Sequence, residues 1–138
     1  PCDTADGQGQ HVLDALIRRF FEGARKGAPE VTVWGSGRPR REFLFIDDFV
    51  DALIFLLNEY NGGDLLNVGW GSDIAIKDLA DLVSRACGFT GRVVFDRTKP
   101  DGVARKLLDT RRVTALGWKP GVELEDGIRK TVDSLKNK

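Results

Sequence analysis

The side chains best placed to do chemistry lie in residues 31–51, VTVWGSGRPRREFLFIDDFVD, where an apolar strand, a glycine turn and three arginines follow one another. Val31 and Val33 alternate with Thr32 and Trp34 at the strand period, Gly35-Ser36-Gly37 lets the backbone turn back sharply, and Arg38, Arg40 and Arg41 come next. Such a layout suits an anion. A guanidinium that opens a strand after a glycine turn can meet a phosphate through two parallel hydrogen bonds, which makes Arg41 the first candidate contact. The competing reading is that the three arginines solvate an exposed hairpin. Trp34 ends the strand at the same turn, and its ring either belongs to the core or walls a sugar or base.

A second unit, FDRTKPDGVARKLLD at residues 95–109, repeats this logic. Lys99-Pro100 makes a rigid turn, and Asp101, Arg105 and Lys106 then present both signs of charge, as a salt-bridged loop or as a ligand loop. His11 is the sole histidine and lies on the polar face of its helix near Arg18, so it is not a typical core histidine. With an unperturbed pKa of ~6.5 it can exchange a proton at neutral pH. Both units point to an anionic partner between the loops, and a net charge of zero implies that this partner is small and local.

The elements that must position these groups read as α/β. A helix is expected over 11–26, with Val12, Leu13, Leu16, Ile17 and Phe20 on one side and Gly27-Ala28-Pro29 as its stop. Arg19 sits at the boundary of that stripe, beside Val12. Strands are expected at 31–34 and 42–46, and Asp47 or Asp48 is expected to cap a helix carrying Phe49, Val50, Leu53, Ile54 and Leu57 as one stripe. A short strand at 65–68 and a helix bearing Ile76, Leu79, Ala80, Val83 and Ala86 follow, the latter closed by Gly88. A strand at 92–96, a short helix capped by Asp109 and ending at Gly117, and a final helix with Leu124, Ile128, Thr131 and Leu135 complete the order. No internal repeat, linker or low-complexity tract interrupts it.

The bulk composition narrows the partners. The chain has 138 residues, within the length of one domain or lobe, and 21 basic residues balance 21 acidic ones, so it offers a polyanion such as nucleic acid no long-range field. Cys2 and Cys87 lack metal-ligand spacing, and Cys87 falls on the apolar side of its helix as a buried thiol. The longest apolar run, 49–57, is broken by Asp51 and too short to span a bilayer. No membrane partner and a soluble, cytoplasmic setting are therefore expected. The polar start, PCDTADGQGQ, has no initiating methionine, and the chain reads as a piece of something longer.

Dinucleotide fingerprints fail on inspection. Gly7-Gln8-Gly9 has no strand before it and Val12 in place of a third glycine, and Gly35-Ser36-Gly37 leads into a strand rather than a helix. The only tyrosine, Tyr60, is not followed four residues later by lysine.

HVLDALIRRF, VTVWGSGRPRREFLFIDD, LLNVGWGSDIAIKDLADLV, GRVVFDRTKPDGVARKLLD and LGWKPGVELEDGI together resemble the carboxyl-terminal half of the GDP-L-fucose synthase family. These are extended short-chain dehydrogenase/reductases that epimerise and reduce GDP-4-keto-6-deoxymannose with NADPH. RxFxxxDD, NVG and GWxP are shared with many nucleotide-sugar epimerases, whereas WGSGxxxREF with KPDGxxRKLLD is more specific. The resemblance implies an α/β substrate-binding portion lacking most of the Rossmann domain, His11 as acid/base, and Arg19, Trp34, Arg41, Asp101 and Lys106 as residues that hold the GDP-sugar. It implies NADP(H) in the parent family, with no tight cofactor binding by this chain alone, because the glycine loop, the Ser, Tyr and Lys of hydride transfer and the partner cysteine lie upstream of the matching region. The chain is accordingly expected not to catalyse by itself, and to associate as a homo-oligomer. Ala75 stands where the family's helix cap would be threonine, an expected cost of ~1 kcal/mol. The alternatives are a fragment of another nucleotide-sugar epimerase or dehydratase, and a stand-alone non-catalytic binding or assembly module.

Overall fold

The computed structural model describes residues 11–136; the segment 1–10, with Cys2 and the Gly7-Gln8-Gly9 run, lies outside the described residues. The order is α1 (Val12–Lys26), β1 (Glu30–Trp34), β2 (Arg40–Arg41), α2 (Ile46–Glu59), β3 (Ile74–Ala75), α3 (Ile76–Cys87), β4 (Arg92–Asp96), β5 (Arg105–Lys106), α4 (Arg111–Ala115) and α5 (Leu124–Lys136). Two short sheets carry it. β1 pairs parallel with β4, while β2 lies between β3, antiparallel, and β5, parallel. The segments 30–41 and 92–106 thus run side by side twice, first as β1 with β4 and then as β2 with β5.

Periodicity explains the main core. α1 stacks on α3 and β1, and α3 stacks on α5, which encloses Leu16, Ile17, Phe20, Leu79, Val83, Ile128 and Val132 against Val31 and Val33. Phe20 and Phe89 meet with ring centroids 5.5 Å apart. Gly23 lets α1 approach β1 closely: a Cβ there would lie 2.8 Å from Val31 Cγ2. Gly27 and Gly88 end α1 and α3 in the left-handed conformation, and Ala28 and Phe89 amides return to Gly23 and Ser84 carbonyls at 2.9 and 3.0 Å. Cys87 is buried as expected, and burial pushes its thiol up to about 11.

Several expectations are corrected. The strands flanking Gly35-Ser36-Gly37 fall in different sheets, so residues 31–46 do not form a hairpin. The second strand is only Arg40–Arg41, because the following stretch is held by a side chain instead: Glu42 accepts hydrogen bonds from Gly71 N at 2.5 Å and Leu108 N at 3.0 Å. Residues 65–68 find no strand partner; the strand forms at Ile74–Ala75, against β2. Asp47 and Asp48 lie in the first turn of α2, whose N-cap is Phe45, and Asp48 instead accepts from Gly121 N at 3.1 Å and Val122 N at 2.9 Å. Thr110, not Asp109, occupies the N-cap position of α4, while Asp109 receives the Arg111 amide at 3.1 Å.

Ala75 is the N-cap of α3, with no side-chain cap. Its absence is largely compensated, since the Ile76 and Lys77 amides donate to Pro39 and Gly37 carbonyls, both at 2.9 Å. This contact docks the glycine turn onto the start of α3.

Candidate functional site

The glycine turn and the 97–104 loop meet at the joint between the two sheets. Gly35 and Gly37 both have positive φ, 87° and 75°, and Gly37 has no room for a side chain, since a Cβ would lie 2.7 Å from Phe95 Cε1. The turn does read an anion, but one supplied by the chain itself. Asp101 Oδ1 accepts from Ser36 N at 2.5 Å and Oδ2 from Ser36 Oγ at 2.7 Å, while Gly35 N donates to Asp96 O at 2.9 Å. The Ser36 hydroxyl and amide hold the Asp101 carboxyl below the usual carboxylate range.

Beside this latch lies a cavity of about 130 Å³ lined by Val12, Trp34, Pro39, Arg41, Ile76 and Asp101. Three of the six residues singled out from sequence, Trp34, Arg41 and Asp101, therefore share one wall. Arg19 joins through the Trp34 ring, with its Cζ 4.9 Å from the ring centroid and its Nη1 donating to Thr32 O at 3.0 Å. Lys99 Nζ lies 5.4 Å from the same centroid, so the ring is attended by two cations. Lys106 stands directly across from Arg41 in the β2–β5 register. His11 is exposed at the start of α1, next to Val12, and is not part of the cavity wall.

The arginines divide into committed and open ones. Asp73, its side chain only 4% exposed, accepts from Arg40 Nε at 2.6 Å through one oxygen and from Arg105 Nε through the other. Those two guanidiniums, Arg105 first, hold the Asp73 carboxyl below its usual range. Among the described residues the Arg41 side chain donates only to the Arg40 carbonyl, at 2.7 Å, and neither Arg41 nor Lys106 is in an ion pair. Sequence reasoning missed Asp73. It sits in a polar loop with no periodicity, and its partners lie 32 and 33 residues away.

A larger cavity, about 600 Å³, opens on the other side of Arg41 between Trp70, Asp73 and the start of α5. Glu123, Glu125 and Asp126 rim it, which makes it the less favourable of the two for an anion.

Residues 3–69 match the model of the NAD dependent epimerase/dehydratase family. A crystal structure of a GDP-L-fucose synthetase from Naegleria fowleri bound to NADP covers 99% of this chain at 27% identity, with a TM-score of 0.87. The chain has the fold of a portion of an extended short-chain dehydrogenase/reductase. A probable GDP-L-fucose synthase 1 from Oryza sativa is 50% identical to this reductase-fold chain over 131 residues, 95% of its length, and the GDP-L-fucose synthase of Escherichia coli is 43% identical over 140 aligned residues, also covering 95%. The chain spans 40% and 44% of the lengths of those two relatives.

The residues described in this portion of the fold do not compose a dinucleotide site. Gly35-Ser36-Gly37 leads into β2, not a helix, and the Gly35 and Ser36 amides that could face a pyrophosphate are taken by Asp96 and Asp101. Among the described residues there is also no group of His, Cys, Asp and Glu suited to a metal, and no helix long and apolar enough to cross a membrane.

Proposed function

We propose that this chain forms the GDP-sugar-binding wall of a GDP-L-fucose synthase-like, NADPH-dependent epimerase/reductase. The observation that carries the proposal is the open cation pair Arg41 and Lys106 beside a cavity walled by Trp34 and Asp101, with the neighbouring Arg40 and Arg105 already bridged by the Asp73 carboxylate. A pyrophosphate is the chemical complement of that pair: two adjacent anionic groups that accept several charge-assisted hydrogen bonds, each contributing about 1.5–3 kcal/mol in a formed site. Arg19 orients the Trp34 ring, and Asp101 acts by holding the turn that closes the cavity. His11 is assigned the proton transfer at a carbon next to the ketone of GDP-4-keto-6-deoxymannose, one residue beyond the cavity wall formed by Val12.

Hydride chemistry in such an enzyme belongs to bound NADP(H), which this chain does not hold by itself. Its own residues bind and orient the nucleotide, so that binding energy remote from the sugar serves the reacting carbons. The exposed apolar face of α2 is assigned to a homo-oligomer contact, and the setting to the cytoplasm. On this reading the chain alone binds nucleotide without turning over, and steady NADPH oxidation with the keto-sugar overturns that part.

Calorimetry with GDP and GDP-mannose tests the binding role. Micromolar to millimolar affinity is expected, about −4 to −8 kcal/mol, lost in Arg41→Ala and nearly unchanged in Arg38→Ala. Equal losses from the two substitutions, or no binding by the wild type, return these arginines to the role of a solvated surface.

A further inference from the structure

We infer that Asp73 is a positioning residue of the anion site: one buried carboxylate bridges Arg40 and Arg105 and so holds Arg41 and Lys106 side by side as an open pair. The inference rests on the nucleotide-binding reading above and deepens it.

The starting point is an arrangement that β-strands ordinarily avoid. β2 and β5 run parallel with Arg40 opposite Arg105 and Arg41 opposite Lys106, so two successive cross-strand positions each place cation against cation. Like charges directly opposite each other push strands apart. The two pairs are treated differently. Asp73, immediately before β3, gives one carboxylate oxygen to Arg40 Nε at 2.6 Å and the other to Arg105 Nε, and its backbone carbonyl accepts from Arg40 Nη2 at 2.9 Å. Arg41 and Lys106 receive no such carboxylate among the described residues.

The clamp has a geometric consequence as well as an electrostatic one. Because the two oxygens of one rigid carboxylate engage guanidiniums on two different strands, sliding of β5 along β2 breaks one of the two bonds. The register that sets Lys106 beside Arg41 is therefore tied to Asp73. Side chains alternate across a strand, so Arg41 and Lys106 leave their strands on the face opposite to Arg40 and Arg105. Arg41 reaches toward the 101–102 loop, its Nη2 lying 3.9 Å from where a Gly102 Cβ would be. What remains beside the Asp73 bridge is a cation pair with no carboxylate partner among the described residues, set at the spacing of neighbouring strands.

The sign of the effect separates positioning from bulk charge. Asp73→Asn removes a negative charge next to the site, so a purely electrostatic contribution tightens GDP and inorganic pyrophosphate. Positioning predicts the opposite: about tenfold weaker binding or more, with Asp73→Glu recovering most of it, and Asp81→Asn, an equal charge change on the exposed side of α3, leaving it unaltered. The measurements are calorimetry with both ligands, after the amide NMR spectrum has shown that each variant is folded. Should Asp73→Asn fail to fold, Arg105→Lys keeps the net charge while losing the planar fork, and a several-fold loss is expected. Unchanged or tighter binding in folded Asp73→Asn, or in Arg105→Lys where that variant is the one used, with normal wild-type binding, overturns the inference alone. A wild type silent toward both ligands overturns the nucleotide reading and this inference with it.

Discussion

α1 and α2 are both helices with a pronounced apolar stripe, and the protein treats the two stripes in opposite ways. Leu16, Ile17 and Phe20 of α1 are sealed against β1, α3 and α5. On α2, Ile46, Phe49, Val50, Leu53, Ile54 and Leu57 are all exposed, Leu57 to 84%. The inner side of α2 is held by polar anchors and by a small apolar cluster that includes Ala52, Phe55 and Leu56. Asp48 takes the Gly121 and Val122 amides, Asp51 takes Trp118 Nε1 at 3.1 Å, and Ala52 fills the small cluster with Val113 and Trp118. The difference teaches that a stripe is buried only where an opposing surface exists. Among the described residues no surface covers the α2 stripe, and directional bonds together with the small apolar cluster set which way the helix faces.

The contrast can be broken at its strongest point. Phe20→Ala is expected to destabilise the protein by about 3–5 kcal/mol, whereas Leu57→Ala stays within about 0.5 kcal/mol, both read from urea unfolding. Similar losses at the two sites would mean that α2 is covered in solution. Asp48→Ala comes next: two backbone donors lose their acceptor, for an expected cost of about 1–3 kcal/mol. An unchanged unfolding midpoint there would remove the polar anchors from the explanation.

Leu53→Glu combined with Leu57→Lys sharpens the same comparison from the other side. Stability should hardly move, but concentration-dependent association, followed by sedimentation velocity, should disappear. A wild type that sediments as a clean monomer at high concentration, without binding a hydrophobic dye, argues against association through this face.

Charges differ between the regions too. Cys87 in the main core is pushed up to about 11 by burial, while Asp109, at the surface beside α4, is drawn down to about 2, chiefly by the Arg111 guanidinium and then by its amide. A depressed carboxyl stabilises the fold above its unfolded value of ~3.9, and that contribution is lost as pH falls toward about 2. Carboxyl carbon shifts should show Asp109 titrating near the low value, with Arg111→Gln returning it to the ordinary range. A wild-type midpoint near 4 would show that the pair does not form in solution.

How far the chain could be read in advance follows from the range of each interaction. The helices α1, α3 and α5, the strands β1 and β4 and the buried Cys87 were legible because a period of 3.6 or 2 is local and repeats within a few residues. The stops at Gly27 and Gly88 were legible for the same reason. Trp34, Arg41 and Asp101 could be placed at one site because each sits beside a turn whose glycine or proline marks the bend. Other features had no local signature. Ser36 binds Asp101 65 residues away, and Glu42 holds Gly71 and Leu108 at separations of 29 and 66. The two-residue strands β2, β3 and β5 are too short to show a period at all.

By itself, then, the sequence determined the α/β class and the order of the helices, the main core, the cationic character of the 38–41 turn and the resemblance to nucleotide-sugar enzymes, since all of these reside in contiguous patterns. Only the tertiary structure decided that the glycine turn grips Asp101, and that Asp73 takes Arg40 and Arg105 and leaves Arg41 and Lys106 open. Each is a choice among partners of similar chemistry. Arg40 and Arg41 are adjacent and identical in type, and what distinguishes them is which one the strand pairing turns toward a buried carboxylate.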